Sequence, residues 1–462
     1  MEHVIGPGSD IDAGHDLGPC LIPPVFRRSA AISTTTSATD DWPGHLARSL
    51  LTTPVTPFNS PSAYPAVDGF DPGLLEYYLL RICPLTSSSN NSTTPFFDLM
   101  VPLLFSAGYE LTSLAIMAFS ARHRSLSHSS FSYLALSLKG KALSALRKSL
   151  GASTGTTKNA LRNPQIPISM MFLCLFEIID SCDHRWVIHL RACQDFLSLR
   201  KQLTQPSHEE ASIESIHVPF AERFFAFQDA ISRTACGNSS VFSVEYWQNG
   251  SNWDDAGCMG CSPQLAYLIF KTTELSRRRG RISFEEFDTH AATLERELLS
   301  LARNAANLDH HLLTESAQLY QCCLLRDAAP STPVAAKLAQ KIIQGIYDVR
   351  REPCMAGGLA FSLFIAAAEL DPLDDEIIFN NNDTTNKISG RRAVLEILEA
   401  LSGVCLFNVE RVRGVINHVW ANRDLDLDGE AYIGVSLKGE SSMAQNDWSI
   451  NVSPYCANLS LL

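Results

Sequence analysis

Residues 170–200 constrain the fold more than any other stretch of this sequence. Residues 170–179 are apolar on every side except at Glu177, which is the pattern of a helix buried all round. After a polar break at 180–184, apolar residues recur at the spacing of a one-faced helix, namely Trp186, Leu190, Cys193 and Leu197. A buried helix, a short turn and an amphipathic helix together predict the centre of an all-helical domain and not a catalytic loop.

Further helices are predicted from start signals and apolar periodicity. Ser262-Pro263 is an N-cap followed by proline at the first helical position, and Ser283 with Glu286 forms a capping box. A shared apolar face follows the central helix pair and comprises Phe220, Phe224, Phe227 and Ile231. Because no convincing period-2 pattern and no repeat of fixed length occurs, the sequence predicts an all-α fold. We expect a single large multi-helix domain of about a dozen helices.

Both ends of the chain differ from this helical domain in composition. Residues 1–71 are rich in Pro, Gly, Ser and Thr without a periodic apolar face, so a disordered arm is expected. Residues 72–424 are predicted to form the helical domain, and residues 425–462 an irregular tail. The N-terminus has neither the basic nor the apolar region of a secretory signal. The most apolar runs carry charges or are too short to cross a bilayer, so no membrane partner is expected.

Charge and cysteine content restrict the function classes. The formal net charge of −12 argues against a protein that holds nucleic acid through its overall field. The densest basic cluster, residues 277–281, ends a predicted helix, where arginines suit the negative end of the helix dipole. We interpret it as a solvated helix terminus. The thirteen cysteines, an odd number in a chain without a secretory signal, are interpreted as reduced core residues.

Two cysteine-containing groups have the residue types of metal ligands. Cys258 and Cys261 have the spacing of a ligand pair, but no second pair or histidine accompanies them, which favours a turn with core packing. The second group falls on the central turn and the helix after it, where core cysteines and a capping Asp or His are the simpler interpretation. Its members are Cys182, Asp183, His184, His189 and Cys193.

Two acidic stretches are the remaining candidates for metal binding. Asp424, Asp426, Asp428 and Gly429 match positions 1, 3, 5 and 6 of a calcium loop, but position 12, which must be a bidentate Glu, is Val435. An acidic surface turn is therefore expected. The acidic residues of the stretch 371–376, followed closely by residues 382–383, could be compared with the aspartate-rich magnesium–diphosphate sites of helical terpene cyclases. Two ligand sets so close in sequence cannot face each other across a helical barrel, so that interpretation is rejected.

No motif for catalysis or cofactor binding is found. A glycine-rich phosphate loop after a strand, a G-x-S-x-G motif and an H-E-x-x-H motif are all missing from the sequence. The sequence therefore predicts no catalytic, cofactor-binding or metal-binding residues.

An ordered series of segments resembles the regulatory domain of fungal-specific transcription factors. The resemblance covers roughly residues 72–424 and includes a Ser-Ala-x-His element at residues 120–123. No single segment is specific, and the order of the series carries the resemblance. In chain order the segments are LLEYYLLRICP, PFFDLMVPLLFSAGYELTSLAIMAFSARH, SLKGKALSALRKSLG, LCLFEIID with RWVIHLRAC, FFAFQDAISRTACG, GCSPQLAYLIF, ESAQLYQCCLLRD, GLAFSLFIAAAELDP and FNVERVRGVINHVW.

The sequence departs from the family pattern at two places. In the family this domain usually follows a binuclear zinc cluster, whose six cysteines hold two metals and place a helix in the major groove of DNA. Here Cys20 and Cys83 are the only cysteines ahead of residue 170, so a zinc cluster is absent from this sequence. The residues after Asp424 also differ from the family's usual tryptophan-containing ending.

The resemblance implies a nuclear transcriptional regulator without enzymatic activity. Its helical domain would restrain or expose activating surfaces, respond to a small apolar effector and pair with other regulators as a homo- or heterodimer. DNA would be reached through a DNA-bound partner or through a zinc cluster missing from this sequence, and the target genes would be metabolic or secondary-metabolite genes. The alternative is a helical small-ligand-binding or enzymatic protein that kept the fold but not the transcriptional role.

Overall fold

The computed structural model describes most of the chain from residue 71 onward, and all described residues belong to one compact unit, Ser62–Leu462. The predicted disordered arm, apart from Asp71, and most of the predicted tail lie outside the described residues. The described residues are 71–86, 94–105, 108, 110–151, 157–203, 214–236, 241–242, 246–247, 261–303, 308–349, 359–371, 373, 375–381, 384–428 and 459–461.

Helices account for almost all of the described chain, so the predicted all-α, multi-helix fold is confirmed. A π-helical turn, Tyr78–Ile82, follows the first helix, and a 3₁₀ turn, Ser129–Phe131, precedes the sixth. The α-helices are α1 Pro72–Tyr77, α2 Cys83–Leu85, α3 Pro95–Asp98, α4 Met100–Leu104, α5 Glu110–Ser127, α6 Ser132–Gly151, α7 Thr157–Arg162, α8 Gln165–Asp180, α9 His184–Leu203, α10 Glu214–Cys236, α11 Pro263–Arg278, α12 Phe284–Arg303, α13 Leu308–Arg326, α14 Pro333–Val349, α15 Leu359–Ala368, α16 Gly390–Leu401 and α17 Val409–Asp428.

A β-hairpin between α15 and α16 departs from the sequence prediction. Strand β1, Glu376–Asn381, pairs antiparallel with β2, Thr384–Ser389. The sequence pattern did not predict these two strands. Among the hairpin side chains that the structure describes, buried Ile377 lies opposite half-buried Ile388. So short an alternation gives no recognisable period-2 signal.

Helix α8 lies at the centre of the packing, as its sequence predicts. Every residue from Ile166 to Ile179 is buried, and α8 packs against α5, α6, α9 and α10. The ring of Phe172 meets those of Tyr78 and Phe96 edge-on, an arrangement that aromatic side chains favour in cores. Helix α9 buries the four residues that its spacing assigns to the core, Trp186, Leu190, Cys193 and Leu197.

Helix α15 is a second fully buried helix. All ten of its residues are buried, and its C-terminal carbonyls accept hydrogen bonds from α17, where Trp420 Nε1 donates to Ala367 O at 2.8 Å and Arg423 donates to Ala368 O. These bonds satisfy carbonyls that have no partner within a helix. Because α17 continues to Asp428, the acidic turn expected from Asp424 onward is wrong: this stretch is helical.

Two helix starts show the predicted caps. The hydroxyl of Ser262 accepts from the amide of Leu265 at 3.2 Å, and that of Ser283 accepts from the amide of Glu286 at 3.2 Å. The Glu286 carboxylate lies 3.7 Å from Arg278, so its side chain contributes to the contact between α11 and α12. Among the described helices, none has the length and hydropathy needed to cross a membrane.

Candidate functional site

Charged side chains from four helices meet at the C-terminal end of α8. Helices α5, α6 and α9 each supply at least one cation to a carboxylate of α8. We call this set the ionic junction. Its members are Arg122, Lys139, Glu177, Asp180, Arg185 and His189.

Glu177 is the buried anion of the ionic junction. Its carboxylate lies 2.7 Å from Lys139 Nζ, 3.5 Å from Arg185 Nε and 3.9 Å from His189 Nε2. Burial alone would raise the pKa of this carboxyl, but His189, Lys139 and Arg185 outweigh burial and hold the pKa below its usual value. Glu177 is therefore ionised and enclosed by cations, which suits holding helices together and not proton transfer to a substrate.

Asp180 extends the ionic junction to the start of α17. Its carboxylate lies 2.8 Å from Arg122 Nε and 3.2 Å from Arg185 Nη2. Its carbonyl accepts from Asn408 Nδ2 at 3.5 Å, and Asn408 Oδ1 in turn accepts from the amide of Arg411 in the first turn of α17. A shift of α8 is thus linked through named contacts to α5, α6, α9 and α17.

The candidate ligand set of the central turn does not converge. The Asp183 carboxylate accepts from the amide of Arg185 at 2.9 Å, and although burial acts in the opposite direction, Arg185 lowers the pKa of Asp183 to about 2. His189 faces Glu177, while Cys182 and Cys193 are buried in the core. Across the described residues, no group of three His, Cys, Asp or Glu side chains is arranged to hold a metal ion.

The Ser-Ala-x-His element forms a second buried polar contact, on α5. Ser120, Ala121 and His123 are all buried, and His123 Nδ1 shares a hydrogen bond of 2.8 Å with the hydroxyl of Tyr77. Burial lowers the pKa of His123 to about 4, with Arg81 acting in the same direction and the backbone of Cys405 opposing it. At neutral pH this histidine is therefore uncharged, and its hydrogen bond with Tyr77 links α5 to α1.

Cys261 and Asp424 are the described side chains of the remaining cysteine pair and of the calcium-like stretch. Cys261 is buried beside the cap of α11, and Cys258 lies outside the described residues. Both carboxylate oxygens of Asp424 are taken by Arg391 at 2.7 Å, which lowers the pKa of that carboxyl. The side chains of Asp426 and Asp428 lie outside the described part of the structure.

Acids of the stretch 371–376 stabilise local backbone. Asp371 accepts from the amide of Leu373 at 2.9 Å, and Asp375 accepts from the Ser389 hydroxyl at 2.6 Å and from the amide of Arg391 at 3.2 Å. The Asp375 carboxylate thus joins the end of the β-hairpin to the start of α16. Asp374 lies outside the described residues.

The arginine cluster at the end of α11 also contacts neighbouring helices. Arg278 pairs with Glu286 of α12, and Arg279 pairs with Asp327 at 2.5 Å and donates to Leu325 O of α13 at 2.7 Å. Arg277 lies 3.7 Å from Glu274 on its own helix. The guanidinium groups therefore bind protein acids and a carbonyl.

Comparison with protein families identifies the domain. The model of the fungal-specific transcription factor domain matches residues 73–461, nearly the whole described unit. The chain belongs to this family. Membership supports a role in transcriptional regulation, and the family implies a nuclear protein. Neither the curated proteins nor the solved structures give a significant match to it.

Sequence reasoning missed most of the ionic junction of this fungal-specific transcription factor domain. Glu177 was visible as the single charge in an apolar helix, and that signal marks a buried ion that needs a partner. Its partner Lys139 lies on α6 within an ordinary amphipathic pattern, and Arg122 lies on α5. Neither carries a local signal for the pairing.

Proposed function

We propose that this chain is a nuclear transcriptional regulator whose helical domain acts through a DNA-bound partner, a zinc-cluster protein with which it pairs. The family match over residues 73–461 carries the proposal. Within the given sequence the thirteen cysteines include no tight group of six that could hold two zinc ions, and contact with DNA through a partner is compatible with that pattern. Control of a metabolic or secondary-metabolite gene set by a small apolar effector is part of the proposal and rests on the family resemblance.

The ionic junction is the proposed coupling element within the regulator. It joins α8 to α5, α6, α9 and the start of α17 through ion pairs and hydrogen bonds that depend on close geometry. Packed helices move between discrete arrangements more easily than they deform continuously. A small displacement at one helix would therefore alter the surfaces that the others present to a partner.

A tethered-reporter experiment tests the proposal. The full chain is fused to a heterologous DNA-binding domain and directed to a reporter promoter, with that DNA-binding domain alone as the reference. We expect the reporter level to change, and we expect a zinc-cluster protein to co-purify with the chain. Glu177→Gln should weaken both results, whereas Glu285→Gln, at an exposed position of α12, should leave them intact. An unchanged reporter together with no co-purified regulator contradicts the proposal.

Mapping the 5′ end of the native transcript tests the partner requirement separately. A transcript that starts just ahead of the codon for Met1 supports DNA contact through a partner. An upstream reading frame that adds a six-cysteine cluster removes that requirement and makes the protein a DNA-binding regulator in its own right.

A further inference from the structure

The stretch between Glu110 and Glu177 contains no acidic residue. These 66 residues carry eight lysines and arginines, although the whole chain has 49 acidic residues and a formal net charge of −12. Positive charge is therefore concentrated on α5, α6 and α7. Such a segregation creates a local field of opposite sign to that of the whole protein.

The cations of this stretch point in two directions. Arg122 and Lys139 bind carboxylates of α8 at 2.8 Å and 2.7 Å, so their charge is used inside the domain. Arg147 and Lys148, near the end of α6, are exposed. Because α6 has no acidic residue, neither has a carboxylate three or four positions away on its own helix. Their charge is directed to the outer side of α6 and is not neutralised along the helix.

The same outer side of α6 exposes apolar side chains. Tyr133 is 84% exposed and Leu136 is 56% exposed. Together with Gly140 and Arg147 they recur at i, i+3, i+7 and i+14, which places all four on one stripe of the helix. Apolar and cationic side chains therefore share one face of a helix of 20 residues, which is about 30 Å long.

Gly140 is the smallest residue of this stripe. A glycine in a helix interior weakens the helix, and a Cβ at Gly140 would meet nothing within 4 Å among the described residues. The packing of the domain therefore does not require a glycine there. What the missing side chain permits is the close approach of a second backbone from outside.

We propose that this outer face of α6 binds an acidic amphipathic helix of a partner protein. We call it the basic docking face; its residues are Tyr133, Leu136, Gly140, Arg147 and Lys148. Apolar side chains of the partner helix cover Tyr133 and Leu136, and its carboxylates face Arg147 and Lys148. The inference rests on the proposed function for the identity of the partner, a paired regulator, whereas the chemistry of the face rests on α6 itself.

The observations favour an acidic helix over two other occupants. A nucleic-acid backbone offers phosphates to Arg147 and Lys148 but nothing apolar to Tyr133 and Leu136, and the net charge of −12 opposes it. A second copy that paired symmetrically through the same face would bring its cations against those of the first, and like charges across an interface are unfavourable.

Fluorescence anisotropy with the full chain tests the basic docking face. The probe is a labelled three-heptad peptide with leucine at positions a and d, glutamate at e and g, and alanine elsewhere, so that its own charges disfavour self-association. One matched peptide has lysine in place of glutamate, and another has serine in place of leucine. A labelled DNA duplex and sedimentation velocity of the chain alone examine the other two occupants.

Three changes on α6 are compared with the parent chain. They are the double charge reversal Arg147→Glu with Lys148→Glu, the apolar change Leu136→Gln, and Gly140→Gln. The matched control is Lys337→Glu, which reverses an exposed cation on α14. Far-UV circular dichroism and the thermal midpoint establish that each variant folds.

We expect the glutamate peptide to bind the parent at least about tenfold more tightly than either matched peptide, and higher salt to weaken its binding. The charge reversal and Leu136→Gln should each weaken binding by about tenfold or more, since they remove opposite charges or an apolar contact. Gly140→Gln should keep or raise the thermal midpoint, because glutamine favours helix, yet weaken binding by about tenfold by holding the partner backbone away. Lys337→Glu should bind as the parent does.

Equal affinity of the parent and the three α6 variants overturns the proposal, and so does equal or tighter binding of the lysine peptide. Binding of the DNA duplex that only the charge reversal removes assigns the face to nucleic acid and overturns it too. A change in sedimentation between parent and Leu136→Gln assigns the face to a second copy, with the same consequence. A reporter response without peptide binding refutes the docking face alone, whereas peptide binding without a reporter response or a co-purified regulator contradicts the proposed function alone.

Discussion

Replacing Glu177 by glutamine removes the anion of the ionic junction while keeping its shape. The side chains of Lys139 and Glu177 are only 11% and 4% exposed, so the change leaves a lysine ammonium buried without its counter-charge. Breaking one partner of such a buried pair typically costs about 3–5 kcal/mol. We therefore expect Glu177→Gln to lower the free energy of unfolding by about 3 kcal/mol, and Lys139→Met to cost a similar amount.

The double variant separates pairing from packing. When Lys139→Met and Glu177→Gln are combined, no unpaired charge of this pair remains, so the loss should be about that of one single change and not the sum. The corresponding coupling free energy is roughly 2–3 kcal/mol. Denaturant unfolding followed by far-UV circular dichroism and by tryptophan fluorescence measures it, provided that both probes give coincident transitions. Glu285→Gln, at an exposed position, should change stability by less than about 0.5 kcal/mol.

The pH dependence of the same pair has a definite sign. Because the folded-state pKa of Glu177 lies below its usual value, its contribution to stability is present above the unfolded pKa and is lost as pH falls through the folded value. Glu177→Gln should remove that loss at acid pH. Single changes that cost under about 1 kcal/mol, or a double variant whose loss is the sum of the two, would refute the assignment of Glu177 and Lys139 as a coupled buried pair.

Three further outcomes follow from local geometry. Burial lowers the pKa of His123 from 6.5 to about 4, so between these pH values the unfolded chain binds a proton that the folded chain does not. The free energy of unfolding should therefore fall by up to about 3 kcal/mol as pH drops from 6.5 to 4. His123→Gln, compared with the parent at several pH values, should flatten this pH dependence. Ser262→Ala should cost about 1 kcal/mol in denaturant unfolding, since the amide of Leu265 loses its cap; an unchanged midpoint would contradict this. Gly390→Ala places a Cβ 2.9 Å from Asp375 O and should lower the free energy of unfolding by about 1–3 kcal/mol. Gly140→Ala, whose Cβ would meet nothing within 4 Å, should raise it by about 0.5–1 kcal/mol. Equal shifts of the thermal midpoint in the two variants would refute the packing argument.

Local sequence signals were enough for the helical framework. The all-round apolar run of α8, the one-sided spacing of Trp186 and Leu190 in α9, and the caps at Ser262 and Ser283 each act within a few residues along the chain. Helix formation depends on such short-range periodicity and on satisfying the first amide groups, so it can be read without knowing what a helix packs against. The ordered series of these helices also carried the family resemblance that the match over residues 73–461 confirms.

Tertiary structure alone decided which distant charges and polar groups meet. Glu177 pairs with Lys139 on another helix, Asp424 pairs with Arg391 of α16, and Ser460 contacts Cys182 far away in sequence. Pairings of this kind arise when whole helices dock, and an ordinary lysine or serine has no local sequence signal of its distant partner. The sequence by itself determined where helices form and which faces are apolar. Because charged partners are brought together only by packing, the ionic junction was decided by the tertiary structure.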